Sequence, residues 1–192
     1  VPGEKNKEIL KKYGIEKKFI LSFCGLLIKR KNVSFLLEVI TKLNDPDVAL
    51  IIIGDGPEKE NLAQKAKELK LGNQVVFTGY IKEEEKIKIL QSSDLFLFPS
   101  LMEGFGLAPA EAMSCGTPSI VSTNGSLPEI IGSGGVALEL NRQEWAKQIK
   151  EIKNNEIYRK DLSQKALSSS EIYTWKRSVE KIEKGMKILI KD

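Results

Sequence analysis

Leu95-Phe-Leu-Phe-Pro99, then Ser100-Leu-Met-Glu-Gly-Phe-Gly-Leu107, then Ala108-Pro-Ala-Glu-Ala-Met-Ser-Cys115 is the stretch on which the reading of this chain turns. The first piece is a short apolar run of strand length. The last piece is a helix, with Pro109 in its first turn and Gly116 just past its end. Between them lies a loop with two glycines, Gly104 and Gly106. Strand, loop and helix in that order make a βα unit.

The same alternation extends in both directions. Candidate strands are Phe19 to Leu27, Val48 to Ile53, Gln74 to Thr78, Leu95 to Pro99, Ser119 to Ser122 and Val136 to Leu140. The unbroken apolar character of Ala49 to Ile53 suits a strand buried on both faces. Helical stripes lie between them: Leu36, Leu37, Val39, Ile40 and Leu43; Leu62, Ala66 and Leu69; Ile87 and Leu90, closing before Asp94; and Trp145, Ile149 and Ile152. The expected fold class is α/β, a Rossmann-like open parallel sheet flanked by helices. Val1 to Lys12 reads as a charged, helix-like lead-in. Tyr173 to Ile190 carries Val179, Ile182, Met186 and Ile190 at helical spacing, which predicts a long amphipathic helix packed on its own domain or a partner, with a membrane surface as the sharper alternative.

Length and composition narrow the chemistry. The 192 residues, 41% hydrophobic and 29% charged, suit one domain spanning 1–192. The chain has no histidine, so Ser-His-Asp, Cys-His and His-metal chemistry cannot be assembled from it. Cys24 and Cys115 read as buried free thiols, which fits a reducing, cytoplasmic setting. No run approaches 18 apolar residues. The formal charge is +4, but 30 basic residues are interspersed with 26 acidic ones, so a nucleic-acid partner is not expected.

In open α/β sheets ligands bind beyond the carboxyl ends of the strands, which directs attention to three loops: 25–32, 54–58 and 100–107. Gly104 and Gly106 allow backbone amides to approach an anion at a helix N-terminus. The same glycines also suit an ordinary βα turn. Glu103 in the loop and Glu111 in the helix can flank one cavity and accept hydrogen bonds from sugar hydroxyls on either side of a phosphate. The bland alternative is a surface Glu and a helix-face Glu. Lys29, Arg30 and Lys31 can aim a cation at the same edge. Gly54-Asp55-Gly56-Pro57 is a turn first, and it is not the dinucleotide fingerprint G-x-G-x-x-G.

Glu103-Gly-Phe-Gly-Leu-Ala-Pro-Ala-Glu111-Ala-Met-Ser-Cys-Gly116-Thr-Pro118 resembles the E-x7-E signature of retaining nucleotide-sugar glycosyltransferases. With Gly25 to Lys31, Gly54 to Pro57 and Phe77-Thr-Gly-Tyr-Ile81 preceding it in order, the chain resembles the C-terminal, donor-binding half of their GT-B fold. The resemblance implies that Glu103 holds hydroxyls of the donor sugar and Glu111 the ribose hydroxyls. It implies that Gly25 and the Gly104, Phe105, Gly106 and Leu107 backbone meet the sugar diphosphate, that Lys31 binds phosphate, and that Tyr80 and Ile81 pass the nucleobase. The substrate implied is a UDP-sugar or GDP-sugar, with no metal. The acceptor site would belong to an N-terminal domain outside this chain, so the chain alone is expected to be inactive.

One departure stands out. The family commonly reads Gly-Arg-Leu after the first strand, whereas this chain has Gly25-Leu26-Leu27. Lys29 or Arg30 could compensate from the loop. The expected function is sugar transfer in glycan, polysaccharide or glycolipid synthesis, with the complete protein cytoplasmic or at the inner face of a membrane. Two alternatives stay open: a non-catalytic nucleotide-sugar interaction module and a sugar-nucleotide epimerase-like relative.

Overall fold

The computed structural model describes residues 5–16 and 19–173, together with Val179 and Glu183. Six parallel strands form one sheet: β1 (Phe19–Cys24), β2 (Val48–Ile53), β3 (Val75–Gly79), β4 (Leu95–Phe98), β5 (Ser119–Ser122) and β6 (Gly135–Leu138), in the order β3-β2-β1-β4-β5-β6. The helices are α1 (Lys7–Lys12), α2 (Val33–Leu43), α3 (Lys59–Glu68), α4 (Glu83–Gln91), α5 (Leu107–Ser114), α6 (Leu127–Ile131), α7 (Arg142–Asn154) and α8 (Glu156–Ser170). Chain order reverses between β1 and β4. That switch point opens a crevice at the carboxyl edge of the sheet.

Side chains alternate across each strand, and both faces are covered. Val48, Leu50 and Ile52 join the larger cluster, which includes Leu36, Ile40, Trp145 and Ile149 from α2 and α7. Ala49, Ile51 and Ile53 join a smaller cluster with Ile9 and Leu10 of α1 and Ile89 of α4. Phe35 and Trp145 meet edge to face at 5.2 Å, and the Trp145 indole donates to the Glu139 carbonyl at 3.0 Å. The lead-in segment is held by Asn6, which caps α1 through its side chain at 3.0 Å and donates its backbone N–H to Ser92 Oγ at 2.9 Å.

The structure adjusts several expectations. β1 stops at Cys24, because Gly25 to Leu27 turns away to pack on the loop after β2. Ile87 is 38% exposed, and Ile89 takes its place in the core beside Leu90. Leu69 caps α3 rather than continuing it. α6 and α8 are additional to the sequence reading. Cys24 and Cys115 are free thiols but half-buried rather than fully enclosed. The helix expected over Tyr173 to Ile190 lies outside the described residues beyond Tyr173 itself, Val179 and Glu183. Among the described residues no helix is long and apolar enough to cross a membrane.

Candidate functional site

The carboxyl edge is built by loops pressed against one another. A Cβ on Gly54 would collide with the Gly25 carbonyl oxygen, and one on Gly56 would stand 2.6 Å from that of Leu27. The Leu27 N–H donates to the Asp55 carbonyl at 2.8 Å, and the Glu58 N–H to the Leu27 carbonyl at 3.0 Å. The Gly54 to Pro57 turn is therefore a buttress for the loop after β1. That loop continues as a tight turn over Lys29–Lys31 and enters α2 through Asn32 at φ 53°.

The turn delivers Lys31 inward. Its ammonium lies 2.5 Å from Glu103 Oε1 and 4.7 Å above the centre of the Phe98 ring. Lys31 and Glu103 keep only 13% and 9% of their side chains exposed. Ser100 Oγ donates to the same carboxylate oxygen at 2.7 Å, and Arg30 Nη1 approaches it to 3.4 Å while donating to the Met102 carbonyl at 2.7 Å. Burial pushes the Glu103 carboxyl up; the bonds from Lys31 and Ser100 and the charges of Lys31 and Arg30 outweigh it and hold the group below the usual carboxylate value.

Glu103 is also held from beneath. Gly125, at φ +65°, lies so close that a Cβ there would collide with the Glu103 carbonyl oxygen. Around it, Ser122 Oγ and Asn124 Nδ2 donate to the Ser100 carbonyl at 2.5 and 3.2 Å, and Ser126 Oγ to that of Phe105 at 2.9 Å. Gly106 adopts φ +92° at the start of α5, with Leu127 2.9 Å from where its Cβ would be. Among the described residues no side chain caps this helix, so its first-turn amides face the loop. Gly104 has open space on its Cβ side.

A second charge cluster lies one turn into α5. Glu111 Oε2 is 3.0 Å from the ammonium of Lys86 on α4, which is also 2.9 Å from Glu83. Tyr80 is 88% exposed and Ile81 packs on the smaller core as the chain enters α4. Cys24 lies within the fields of both clusters; burial pushes its thiol up to about 11, Glu111 and Glu83 add to that, and Lys86 and Lys31 oppose it.

The structure thus brings Gly25, Lys31, Glu103, Gly104, Phe105, Gly106, Leu107 and Glu111 to one edge, with Tyr80 and Ile81 joined through α4. Glu103 is nearly enclosed and Glu111 half-exposed; neither lines two cavities, of about 420 and 210 Å³, elsewhere on the surface. Leu26 is 57% exposed. Of its neighbours, Arg30 turns to Glu103, whereas Lys29 lines the smaller cavity with Ser34, Glu58 and Leu62. Sequence reasoning missed Ser100, Gly125 and Lys86. No cluster of three or more Cys, Asp or Glu among the described residues could hold a metal ion.

A parallel α/β sheet with helices on both faces and charged groups gathered at its switch point defines a Rossmann-like domain, in which the carboxyl edge is where a ligand would bind. The family model described as glycosyl transferases group 1 matches residues 5–168, and the chain belongs to that family. It is 34% identical over 164 residues to a GDP-mannose-dependent alpha-(1-6)-phosphatidylinositol dimannoside mannosyltransferase of Mycobacterium tuberculosis, covering 83% of this chain and 41% of that protein. Anabaena HepE in complex with UDP and glucose superposes with a TM-score of 0.85 at 22% identity, over 94% of this chain and 51% of that one. TarM of S. aureus, in a complex containing UDP, gives 0.77 at 25% identity, over 86% and 34%. The chain therefore spans about one third to one half of the length of these three relatives.

Proposed function

We propose that this chain is the donor-binding half of a retaining glycosyltransferase that takes its sugar from a UDP-sugar or GDP-sugar. The observation that carries the reading is the pair of carboxylates set on opposite partners: Glu103 among Lys31, Arg30 and Ser100, and Glu111 beside Lys86. In this reading Glu111 accepts the ribose hydroxyls, and the diphosphate lies against Lys31, the Gly104 to Leu107 backbone and the N-terminus of α5. Glu103 orients the donor sugar. When the bond from sugar carbon to diphosphate oxygen breaks, Lys31, Arg30 and the helix terminus neutralise the charge left on the diphosphate, and no metal is required. The acceptor hydroxyl then attacks the face that the diphosphate left, its oxygen bonding the sugar carbon while its proton passes to the departing diphosphate oxygen.

The acceptor site is assigned to a further domain of a longer protein, which this chain does not contain. The mycobacterial relative, named a GDP-mannose-dependent phosphatidylinositol dimannoside mannosyltransferase, supports a role in glycan or glycolipid synthesis, for which the cytoplasm, at the inner face of a membrane, is the proposed setting. Calorimetric titration of the chain with UDP, GDP and ADP tests the site. Saturable binding of one nucleotide that weakens at least tenfold in Glu111→Ala is expected, about one charge-assisted hydrogen bond or more. Equal binding by the variant overturns the assignment of Glu111.

A further inference from the structure

Lys86 lies on α4, directly after three successive glutamates, where sequence alone gives it the look of a solvated lysine. Its side chain is instead only 14% exposed, with the ammonium fixed between Glu83 on its own helix and Glu111 on α5. Glu111 is different in kind. Its side chain is 45% exposed, and a half-exposed glutamate divides its time among several rotamers unless something selects one. A bond from a largely buried cation on a second helix makes that selection. Burial pushes the Lys86 ammonium down, but the bonds to Glu83 and Glu111 outweigh it and hold it above the ordinary lysine value of 10.5. The cation is therefore present throughout the neutral range.

The geometry has a second consequence. An ammonium has three donors, and here two of them are directed at carboxylates. With Lys86 bonded to Oε2, Glu111 keeps Oε1 and the remaining lone pairs of Oε2 available for a pair of neighbouring hydroxyls. The lysine thus orients the carboxylate without using up its capacity to accept.

We propose that Lys86 is a positioning residue for the donor's ribose: by fixing Glu111 it sets the preference of the site for ribonucleotides over their 2′-deoxy forms. The proposal rests on the reading of Glu111 as the ribose carboxylate. It extends that reading to a residue on another helix.

The test is titration of the unsubstituted chain, Lys86→Met, Lys86→Arg and Glu111→Gln with GDP, UDP and the corresponding 2′-deoxynucleoside diphosphates. For the nucleotide that binds, the unsubstituted chain favours the ribo form. Lys86→Met is expected to weaken ribonucleotide binding about tenfold, one charge-assisted bond's worth, and to weaken the 2′-deoxy form, which offers Glu111 only its 3′-hydroxyl, by clearly less, so that the preference narrows. Lys86→Arg restores it. Lys86→Met combined with Glu111→Gln is expected to be no weaker than Glu111→Gln alone, as for two groups acting in series. A Lys86→Met chain that keeps the preference, or that weakens both forms equally, overturns the proposal, and binding of the 2′-deoxy form shows at once that the variant is folded. A preference untouched by Glu111→Gln, or no nucleotide binding by the unsubstituted chain, overturns the donor-site reading itself.

Discussion

Arg30 and Lys31 approach the same oxygen of Glu103, so this cluster holds two cations against one carboxylate. Lys31 is the more enclosed partner; Arg30 keeps 46% of its side chain exposed and presents its remaining donors outward. A guanidinium in that position suits an oxygen pair on phosphate. Leu26, after β1, supplies no charge of its own. Arg30→Gln is accordingly expected to lower affinity for the nucleoside diphosphate about tenfold while changing monophosphate affinity by less than about twofold, as expected for one charged hydrogen bond to the outer phosphate. Parallel titrations with the two nucleotides measure it, and an equal loss for both would reduce Arg30 to a clamp on the Met102 carbonyl. The run Lys29-Arg30-Lys31 was legible as a source of cations at the right edge. Only the family resemblance singled out Lys31; the residues themselves did not, because the tight turn that faces Lys29 toward α3 and Lys31 toward Phe98 leaves no periodic trace in three like-charged residues.

Strands, loops and helices differ in how plainly the sequence announces them. All six strands were legible from apolar runs, although only β2, β4 and β5 are buried throughout and β3 and β6 at the sheet edges are partly exposed; α2 and α7 were legible because their buried residues recur on one face. α8 was not: only Leu162 and Ala166 are buried along its fifteen residues, so it has almost no apolar stripe. α6 is too short to show a period. The glycines of the site loops were legible as glycines, but their jobs separate only in three dimensions. A Cβ on Gly104 would meet nothing within 4 Å, whereas a Cβ on Gly125 would strike the backbone of Glu103 from a left-handed φ. Gly104→Ala is therefore expected to keep its unfolding free energy within about 0.5 kcal/mol of the unsubstituted chain, as at open surface positions, and to weaken nucleoside diphosphate binding by obstructing the approach. Gly125→Ala is expected to lose about 2 kcal/mol or more in urea unfolding through strain at a special φ and a backbone clash. Similar losses in both variants would show that the 100–107 loop is shaped by general packing and not by the support of Gly125.

At the scale of the whole molecule the parallel sheet gives its two edges opposite characters. Helices that cross back over the sheet begin at the carboxyl edge and end at the amino edge, so their positive ends gather near Glu103 and their carbonyl ends near the opposite cavity. That cavity, of about 420 Å³, is lined by Lys5, Lys153, Arg159 and Lys160 with Asp94. Its cations are already engaged: Arg159 donates to the last carbonyls of α7, Ile152 and Lys153, at 3.1 Å, and Lys153 pairs with Asp45 at 2.5 Å. Asp94, 12% exposed on its side chain, accepts from the Ile20 N–H at 2.7 Å and pairs with Lys5 at 2.6 Å, tying the lead-in segment to β1. This edge holds the fold together, while the other edge carries the proposed ligand site. Two substitutions should therefore have opposite profiles. Asp94→Ala strips a buried N–H and a lysine of their shared partner and is expected to cost about 3 kcal/mol of stability, with nucleotide affinity in the folded protein unchanged. Lys31→Met leaves Glu103 with Ser100 and Arg30, so stability is expected to fall by about 1 kcal/mol or less while diphosphate binding drops at least tenfold, the charged bond to phosphate being absent. Urea unfolding and calorimetric titration on both variants read the two properties separately, and an Asp94→Ala chain that loses nucleotide affinity while still folded would show that the edges are coupled through β1 and β4.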